Sequence, residues 1–162
     1  MTIPNPEELR ELFTYDPETG ELRWKKNGSG RNFSIPVGNV GTRGYLRVVI
    51  HGRNYMLHRV IWAFFHGAWP DNLIDHINGS VTDNRITNLR QATTRENSWN
   101  QRIAKNNTTG LKGVSLEAGR YRASIMTEQG KIHLGLFDTA EDAHEAYKLA
   151  ADAYFGPFAR HA

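Results

Sequence analysis

The chain has 162 residues, of which 39% are hydrophobic and 23% are charged, and its net charge is +3. These proportions are those of an ordinary globular protein and argue against wholesale disorder. The absence of cysteine excludes a disulfide framework, a thiolate zinc site and a cysteine nucleophile. No apolar run approaches the roughly 20 residues that a membrane helix needs. Residues 1–10 lack the apolar core of a signal peptide, so we expect a cytoplasmic protein without a membrane partner.

Charge is distributed unevenly along the chain. Residues 1–21 contain six acidic residues and one basic residue, whereas residues 22–62 contain eight basic residues and no acidic one. A second basic stretch, residues 101–135, contains six basic and two acidic residues. Two such stretches suit a protein that binds a phosphate backbone at two places. A solvated surface without a partner would show the same pattern.

The first hundred residues predict short, alternating helices and strands. The predicted elements are a helix over 5–14, a turn over 15–20, a strand over 21–26, a loop over 27–34, strands over 45–50 and 54–57, and a helix over 56–66. His51-Gly52-Arg53 between two strands indicates a hairpin, and Gly67 and Pro70 end the second helix. Residues 71–100 are rich in loop formers, and Thr93 or Thr94 can cap a short helix.

Residues 111–158 predict three strands followed by one helix. Gly119 and Gly130 mark the turns between the strands, and Thr139 can cap the helix. Along the second and third strands, one face is apolar and can cover the helix. The other face carries Arg120, Arg122, Lys131 and His133. A β-sheet or ribbon fits the major groove of B-DNA, although an ordinary half-exposed sheet alternates in the same way.

The residues with the clearest chemistry are Asp75, His76, Asn88 and Asn97. A hard divalent cation prefers oxygen ligands, which Asp75 and Asn97 can supply. A histidine is suited to general-base catalysis near neutral pH, so His76 can take a proton from an attacking water. The pattern therefore indicates metal-assisted phosphodiester cleavage. A hydrogen-bonded Asp-His pair in a core is the structural alternative.

Several short motifs resemble the HNH nucleases of phages and group I introns. They are Leu57-His58-Arg59, Asp75-His76-Ile77-Asn78-Gly79, Asn84-Arg85, Asn88-Leu89-Arg90 and Thr94-Arg95-Glu96-Asn97. The resemblance implies the ββα-metal arrangement, in which a β-hairpin and a helix surround one metal ion. It implies that His76 is the general base, that Asp75 and Asn97 bind Mg²⁺ or Mn²⁺, and that Asn88 braces the loop and orients the histidine. It also implies products with 5′-phosphate and 3′-hydroxyl ends.

A second resemblance covers residues 107–158. The motifs Leu111-Lys112-Gly113-Val114, Gly119-Arg120-Tyr121-Arg122 and His133-Leu134-Gly135-Leu136-Phe137-Asp138-Thr139 resemble the ethylene-response-factor (APETALA-type) DNA-binding domain. Lys112, Arg120 and Arg122 keep the basic character of that family's contact face. Ser115 and His133 depart from it, so the recognised base sequence does not carry over.

Together these observations predict an α+β protein, with a ββα-metal HNH nuclease region followed by a small three-stranded antiparallel sheet packed on one helix. The expected domains are a nuclease domain over 1–101 with an N-terminal DNA-contacting hairpin region, a linker over 102–110 and an ethylene-response-factor-like domain over 111–162. The expected activity is metal-dependent cleavage of double-stranded DNA, of the homing type. The expected DNA contacts are Arg43, Arg47, Arg53, His58, Arg59, Lys112, Arg120, Arg122, Lys131 and His133.

One nuclease site per chain favours nicking by a monomer, or cutting of both strands through a dimer. The resemblance implies a phage-encoded protein that acts in the bacterial cytoplasm. A DNA-binding regulator with a vestigial nuclease site would share both basic surfaces and is the main alternative. An RNA-binding protein is the third alternative, but the open sheet face offers no well-placed Tyr, Phe or Trp on which bases could stack.

Overall fold

The computed structural model describes residues 3–26, 32–104 and 106–161. Most of the predicted loop over 27–34, and Lys105 of the predicted linker, lie outside the described residues. The chain is a mixed α+β protein with small antiparallel sheets, which confirms the predicted fold class. It divides into two compact units, Met1–Thr93 and Thr94–Ala162. Within the described ranges, none of the helices has the length and apolar character needed to cross a membrane.

In its described residues, the first unit combines two α-helices with three small sheets. Its elements are α1 (Pro6–Leu12), the hairpin of β1 (Phe13–Asp16) and β2 (Glu21–Trp24), the sheet of β3 (Asn39–Val40), β4 (Leu46–Ile50) and β5 (Arg53–Met56), α2 (Leu57–His66), and the hairpin of β6 (Leu73–His76) and β7 (Leu89–Ala92). The fully buried side chains of Leu9, Leu22 and Ile61 help to join α1, β2 and α2 in one core. The core thus fixes the N-terminal hairpin and α2 on one body with the β6–β7 hairpin.

The first helix ends earlier than its sequence predicts. Residues 5–14 predict one helix, but α1 ends at Leu12 and Phe13 begins β1. Phe13 pairs with Trp24 across the hairpin, and the two ring centroids are 4.2 Å apart. This cross-strand aromatic contact stabilises the strand over the local helical preference.

The second unit is built around one three-stranded sheet. Its elements are α3 (Thr94–Trp99), β8 (Val114–Glu117), β9 (Arg120–Thr127), β10 (Gly130–Phe137) and α4 (Ala140–Phe155), and the strand order is β10–β9–β8. Thr139 caps α4, because its hydroxyl accepts from the backbone N–H of Asp142 at 3.1 Å. Ala123 and Ile125 on β9 are buried on the face that packs on α4.

The limits of the compact units differ from the predicted domain limits. The predicted nuclease domain ends at residue 101, whereas α3 belongs to the second unit, where Trp99 stacks on Phe155 with ring centroids 4.5 Å apart. The end of the predicted linker is also ordered. The Asn107 carboxamide accepts from the backbone N–H of Gly110 at 2.7 Å and donates to the carbonyl of Leu111 at 3.0 Å. As functional domains, residues 1–101 and 111–162 stay a prediction.

Candidate active site on the β6–β7 hairpin

The β6–β7 hairpin positions the first two residues of the predicted site. Asp75 pairs with Arg90 and His76 pairs with Leu89 across the hairpin. Asp75 is 6% exposed and His76 is 3% exposed. Strand β6 ends at His76, whose carbonyl accepts from the N–H of Gly79 at 2.7 Å in the following turn. The two side chains thus stand at the end of a strand, where a turn begins.

The carboxylate of Asp75 binds the guanidinium of Arg90. Asp75 Oδ2 lies 2.9 Å from Nε and 2.7 Å from Nη2 of Arg90. The Asp75 side chain is 7% exposed and that of Arg90 is 16% exposed, so solvent screens this ion pair only weakly. Arg90 therefore balances the charge of the only carboxylate among the predicted site residues. No role for Arg90 was predicted from its sequence motif.

The imidazole of His76 is oriented by a carboxamide. His76 Nε2 lies 3.1 Å from Asn84 Oδ1. A carboxamide oxygen can only accept a hydrogen bond, so Nε2 donates and carries the ring proton. The lone pair of the neutral ring then lies on Nδ1. Burial lowers the pKa of His76, although the Asn84 hydrogen bond and the nearby Asp75 charge act in the opposite direction. The ring is therefore a neutral base near pH 7.

A second histidine packs against the first. The His58 ring lies edge-on to the His76 ring with centroids 5.1 Å apart, and Tyr45 lies within 6.0 Å of both rings. His58 is 7% exposed, and burial, helped by the neighbouring His76 and Arg59, lowers the pKa of His58 to about 3. The sequence groups His58 with the DNA contacts. Its burial instead favours a packing role beside His76.

The burial of His58 makes the free energy of unfolding depend on pH. The unfolded chain protonates His58 near its usual pKa of 6.5, whereas the folded chain does so only near pH 3. The contribution of His58 to the free energy of unfolding is therefore complete above pH 6.5. It is lost as the pH falls toward 3, at about 1.4 kcal/mol per pH unit. We expect the free energy of unfolding, measured by urea denaturation, to fall by about 2 kcal/mol between pH 6.5 and 5 from His58 alone.

The matched variants are His58→Phe and His133→Phe. His58→Phe keeps an aromatic ring at the buried position and should remove that part of the pH dependence. His133 is exposed on β10, and its replacement should leave the dependence intact. The same pH slope in both variants would contradict the assignment to His58.

Asn88 braces the loop that follows β6. Asn88 Oδ1 accepts from the backbone N–H of Asn78 at 2.9 Å, and Nδ2 donates to Asn78 Oδ1 at 3.1 Å and to the carbonyl of Asp83 at 2.8 Å. One buried side chain thereby ties both ends of the 78–83 loop. The carboxamide beside the His76 ring belongs to Asn84, which the sequence places in a family motif without a role.

The fourth predicted residue, Asn97, lies on α3 in the second compact unit, where its side chain is half-buried. The first unit brings together Asp75, His76 and Asn88. Metal binding by Asn97 stays a prediction.

The donor set determines which cation the site could take. Within the described ranges, no cluster of three or more acidic or histidine side chains is arranged to hold a metal ion. The predicted ligands are one carboxylate and one carboxamide. Mg²⁺ is commonly bound through one or two carboxylates and keeps several waters, so this oxygen set fits such a cation in its chemistry. A bound cation would share the Asp75 carboxylate with Arg90.

The predicted DNA contacts of the first unit have different surroundings. Arg43 and Arg53 are exposed, Arg43 in a turn at φ 62° and Arg53 at the start of β5. Arg47 is half-buried on β4. Arg59 donates to the carbonyls of Asn72 at 2.8 Å and Pro70 at 2.9 Å. Arg59 therefore closes the loop between α2 and β6.

Of the predicted DNA contacts in the second unit, one binds backbone carbonyls and the others lie on the sheet. Lys112 donates to the carbonyls of Trp99 at 2.9 Å and Gln101 at 2.8 Å, next to the end of α3, and burial lowers the pKa of Lys112 to about 8. The other four lie on the sheet. Arg120 pairs with Asp138, Arg122 pairs with Glu117, and Lys131 and His133 are exposed on β10.

Similarities to known proteins place this geometry in a family. Residues 55–99 match the family described as HNH endonuclease. Protein 3.8 of Escherichia phage T7 is 40% identical over 79 residues, which cover 47% of this chain and 64% of that protein. An uncharacterized HNH endonuclease of Acanthamoeba polyphaga mimivirus is 33% identical over 146 residues, which cover 88% of this chain and 68% of that protein. The chain thus spans less than two thirds of the phage protein, and no solved structure matches it significantly.

The matched segment begins within β5 and ends at the last residue of α3, so it contains the whole β6–β7 hairpin with Asp75, His76 and Asn88. The similarity to the mimivirus protein extends over most of the chain. The chain belongs to the HNH endonuclease family.

Proposed function

We propose that this chain is a metal-dependent DNA endonuclease that hydrolyses a phosphodiester bond with His76 as the general base. The observation that carries the proposal is the state of this imidazole. Its Nε2 lies 3.1 Å from Asn84 Oδ1, its pKa is lowered by burial, and it stands beside Asp75 at the end of a strand. A neutral ring with a fixed tautomer is prepared to accept one proton.

The proposed reaction uses the chain's own groups as follows. His76 Nδ1 takes a proton from a water whose oxygen forms a bond to phosphorus, and the bond from phosphorus to the 3′ oxygen breaks. The products are a 5′-phosphate and a 3′-hydroxyl, the latter protonated from solvent. The Nε2–H···Oδ1 bond to Asn84 stabilises the imidazolium as it forms. The negative charge of Asp75 acts in the same direction.

The proposed metal ion is Mg²⁺ or Mn²⁺, held by Asp75 and Asn97. When bound, it would stabilise charge on the phosphate and on the leaving oxygen. Arg90 binds the Asp75 carboxylate and fixes its orientation.

We also propose that the second unit binds double-stranded DNA through its open sheet face, as the resemblance to the ethylene-response-factor domain suggests. Lys131 and His133 are exposed on β10, opposite Met126 and Ser124 of β9. These side chains lie on the strand face away from buried Ala123 and Ile125. Arg120 already binds Asp138, so a DNA phosphate would have to replace that carboxylate.

The sheet contact predicts a change in salt dependence. We expect Lys131→Ala to weaken DNA binding and to reduce the slope of log affinity against log salt by about one, since one phosphate contact is lost. Fluorescence anisotropy across a salt series measures this slope. The control is Lys148→Ala, because Lys148 lies on α4 and pairs with Glu145. Equal slopes for both variants and the wild type would argue against DNA binding through this face.

A plasmid-nicking assay tests the proposed activity. We expect supercoiled plasmid to be converted to open circles or linear DNA with Mg²⁺ or Mn²⁺, and to remain supercoiled with EDTA. Sequencing the ends identifies the strand cut and the 5′-phosphate. The main alternative is a DNA-binding regulator with a vestigial site, in which the buried Asp75–Arg90 ion pair has a purely structural role. Such a regulator would shift the plasmid in a gel with every metal and cut it with none.

A further inference from the structure

The hydroxyl of Tyr15 links the N-terminal hairpin to the candidate active site. Tyr15 lies on β1, outside the matched segment 55–99. Its hydroxyl donates to the carbonyl of Asn84 at 3.0 Å and accepts from the N–H of Ile86 at 2.8 Å. Because these two groups lie on either side of Arg85, one hydroxyl fixes the backbone at both ends of a three-residue segment.

The turn of the same hairpin makes a second, independent contact there. Gly20 has φ +75°, and a Cβ at this position would lie 2.4 Å from the backbone nitrogen of Arg85 and 2.6 Å from the carbonyl carbon of Asn84. These distances leave no room for a side chain other than hydrogen. The β1–β2 turn therefore packs directly on the peptide bond between Asn84 and Arg85.

Asn84 connects this backbone segment to the histidine. It is 2% exposed, although it lies in a loop. Its backbone carbonyl is held by Tyr15, and its side-chain oxygen lies 3.1 Å from His76 Nε2. A displacement of the 84–86 backbone would move the Asn84 carboxamide and, through it, the plane of the imidazole.

We propose that the β1–β2 hairpin positions the general base, with Tyr15 and Asn84 as positioning residues that act through His76. The proposal rests on the proposed function of His76. The hairpin fixes the backbone of Asn84, and the carboxamide fixes the ring plane and keeps the proton on Nε2. Loss of either contact misplaces Nδ1 relative to the attacking water, and a misplacement of about 1 Å can reduce a rate by about 100-fold.

The first test is kinetic, and it uses the full-length protein in saturating excess over the plasmid, so that each measurement follows a single turnover. We expect Tyr15→Phe to lower the nicking rate about tenfold and Asn84→Ala about 100-fold, with DNA affinity unchanged. The control is Tyr55→Phe, since Tyr55 packs on Trp69 with ring centroids 5.6 Å apart, away from the 84–86 segment. Wild-type rates for both Tyr15→Phe and Asn84→Ala would overturn the inference.

A second test, in the His76→Ala variant, separates loss of positioning from general structural damage. His76→Ala should regain part of its activity when imidazole is added, because the free base can enter the space of the missing ring. Imidazole in that space is not tied to the backbone of β6 and can follow a displaced Asn84 carboxamide, so adding Tyr15→Phe should leave the rescued rate unchanged. The same tenfold loss in the rescued enzyme would overturn the positioning role.

A measurement without catalysis keeps this inference separate from the proposed function. Nitrogen-15 NMR of the His76 ring should show the proton on Nε2 in the wild type and in Asn84→Asp, which keeps an acceptor oxygen. In Asn84→Ala it should show a mixture of tautomers. A wild-type protein that never nicks DNA refutes the proposed function, whereas a proton on Nδ1, or a tautomer unchanged in Asn84→Ala, refutes the positioning. If Asn84→Ala does not fold, the tautomer and rate of Tyr15→Phe decide.

Discussion

Replacing His76 with alanine is expected to reduce the nicking rate by about 10²–10⁴-fold, the usual contribution of a positioned general base. The same variant should bind DNA with a dissociation constant within about twofold of the wild type. The reason is that the ring is 3% exposed and uncharged near pH 7, so its loss removes a base but no phosphate-neutralising charge. Nicking time courses and anisotropy titrations measure the two quantities separately.

A matched control for this variant is His66→Ala. His66 ends α2, is exposed, and packs against the Trp62 ring with centroids 4.0 Å apart, away from the β6–β7 hairpin. It should nick DNA at the wild-type rate. Near wild-type cleavage by His76→Ala would exclude His76 as the base.

Local sequence patterns were sufficient for much of the fold. The apolar stripe of residues 56–66 predicts α2, and His51-Gly52-Arg53 predicts the β4–β5 hairpin, because both depend on neighbours along the chain. Thr139 and the turns at Gly119 and Gly130 likewise predict the second unit. The end of α1 was less predictable, because the strand that begins at Phe13 is stabilised by Trp24, which is not a neighbour along the chain.

The residues around the candidate site were predicted unevenly for the same reason. Asp75, His76 and Asn88 carry a recognisable spacing, and the hairpin brings them together. Asn84 lies among loop formers, where burial cannot be predicted from neighbouring residues, and its contact with Tyr15 joins residues 69 positions apart. Composition also does not distinguish a basic side chain that binds carbonyls, such as Lys112, from one that faces solvent, such as Lys131.

Arg90→Met is expected to lower the free energy of unfolding by about 3–5 kcal/mol in EDTA, because it leaves the Asp75 carboxylate buried without its guanidinium. The control is Arg85→Met. The Arg85 side chain is 47% exposed and that of its partner Asp83 is 17% exposed, so removal of Arg85 leaves a carboxylate that water still reaches, at a cost of about 1 kcal/mol. Urea denaturation of the two variants compares the same substitution at a buried and at a partly exposed ion pair.

Excess Mg²⁺ adds a second comparison to this pair of variants. If Asp75 is a metal ligand, removal of the competing Arg90 cation makes its carboxylate a stronger one. A cation that binds only the folded chain then stabilises it by mass action. Arg90→Met should therefore regain part of its lost stability in Mg²⁺, whereas Arg85→Met should not change. Equal losses for both variants in EDTA would contradict the buried ion pair, and an absent Mg²⁺ response in Arg90→Met would count against Asp75 as a ligand. The two outcomes are independent, because the ion pair can be structural whether or not the carboxylate also binds a cation.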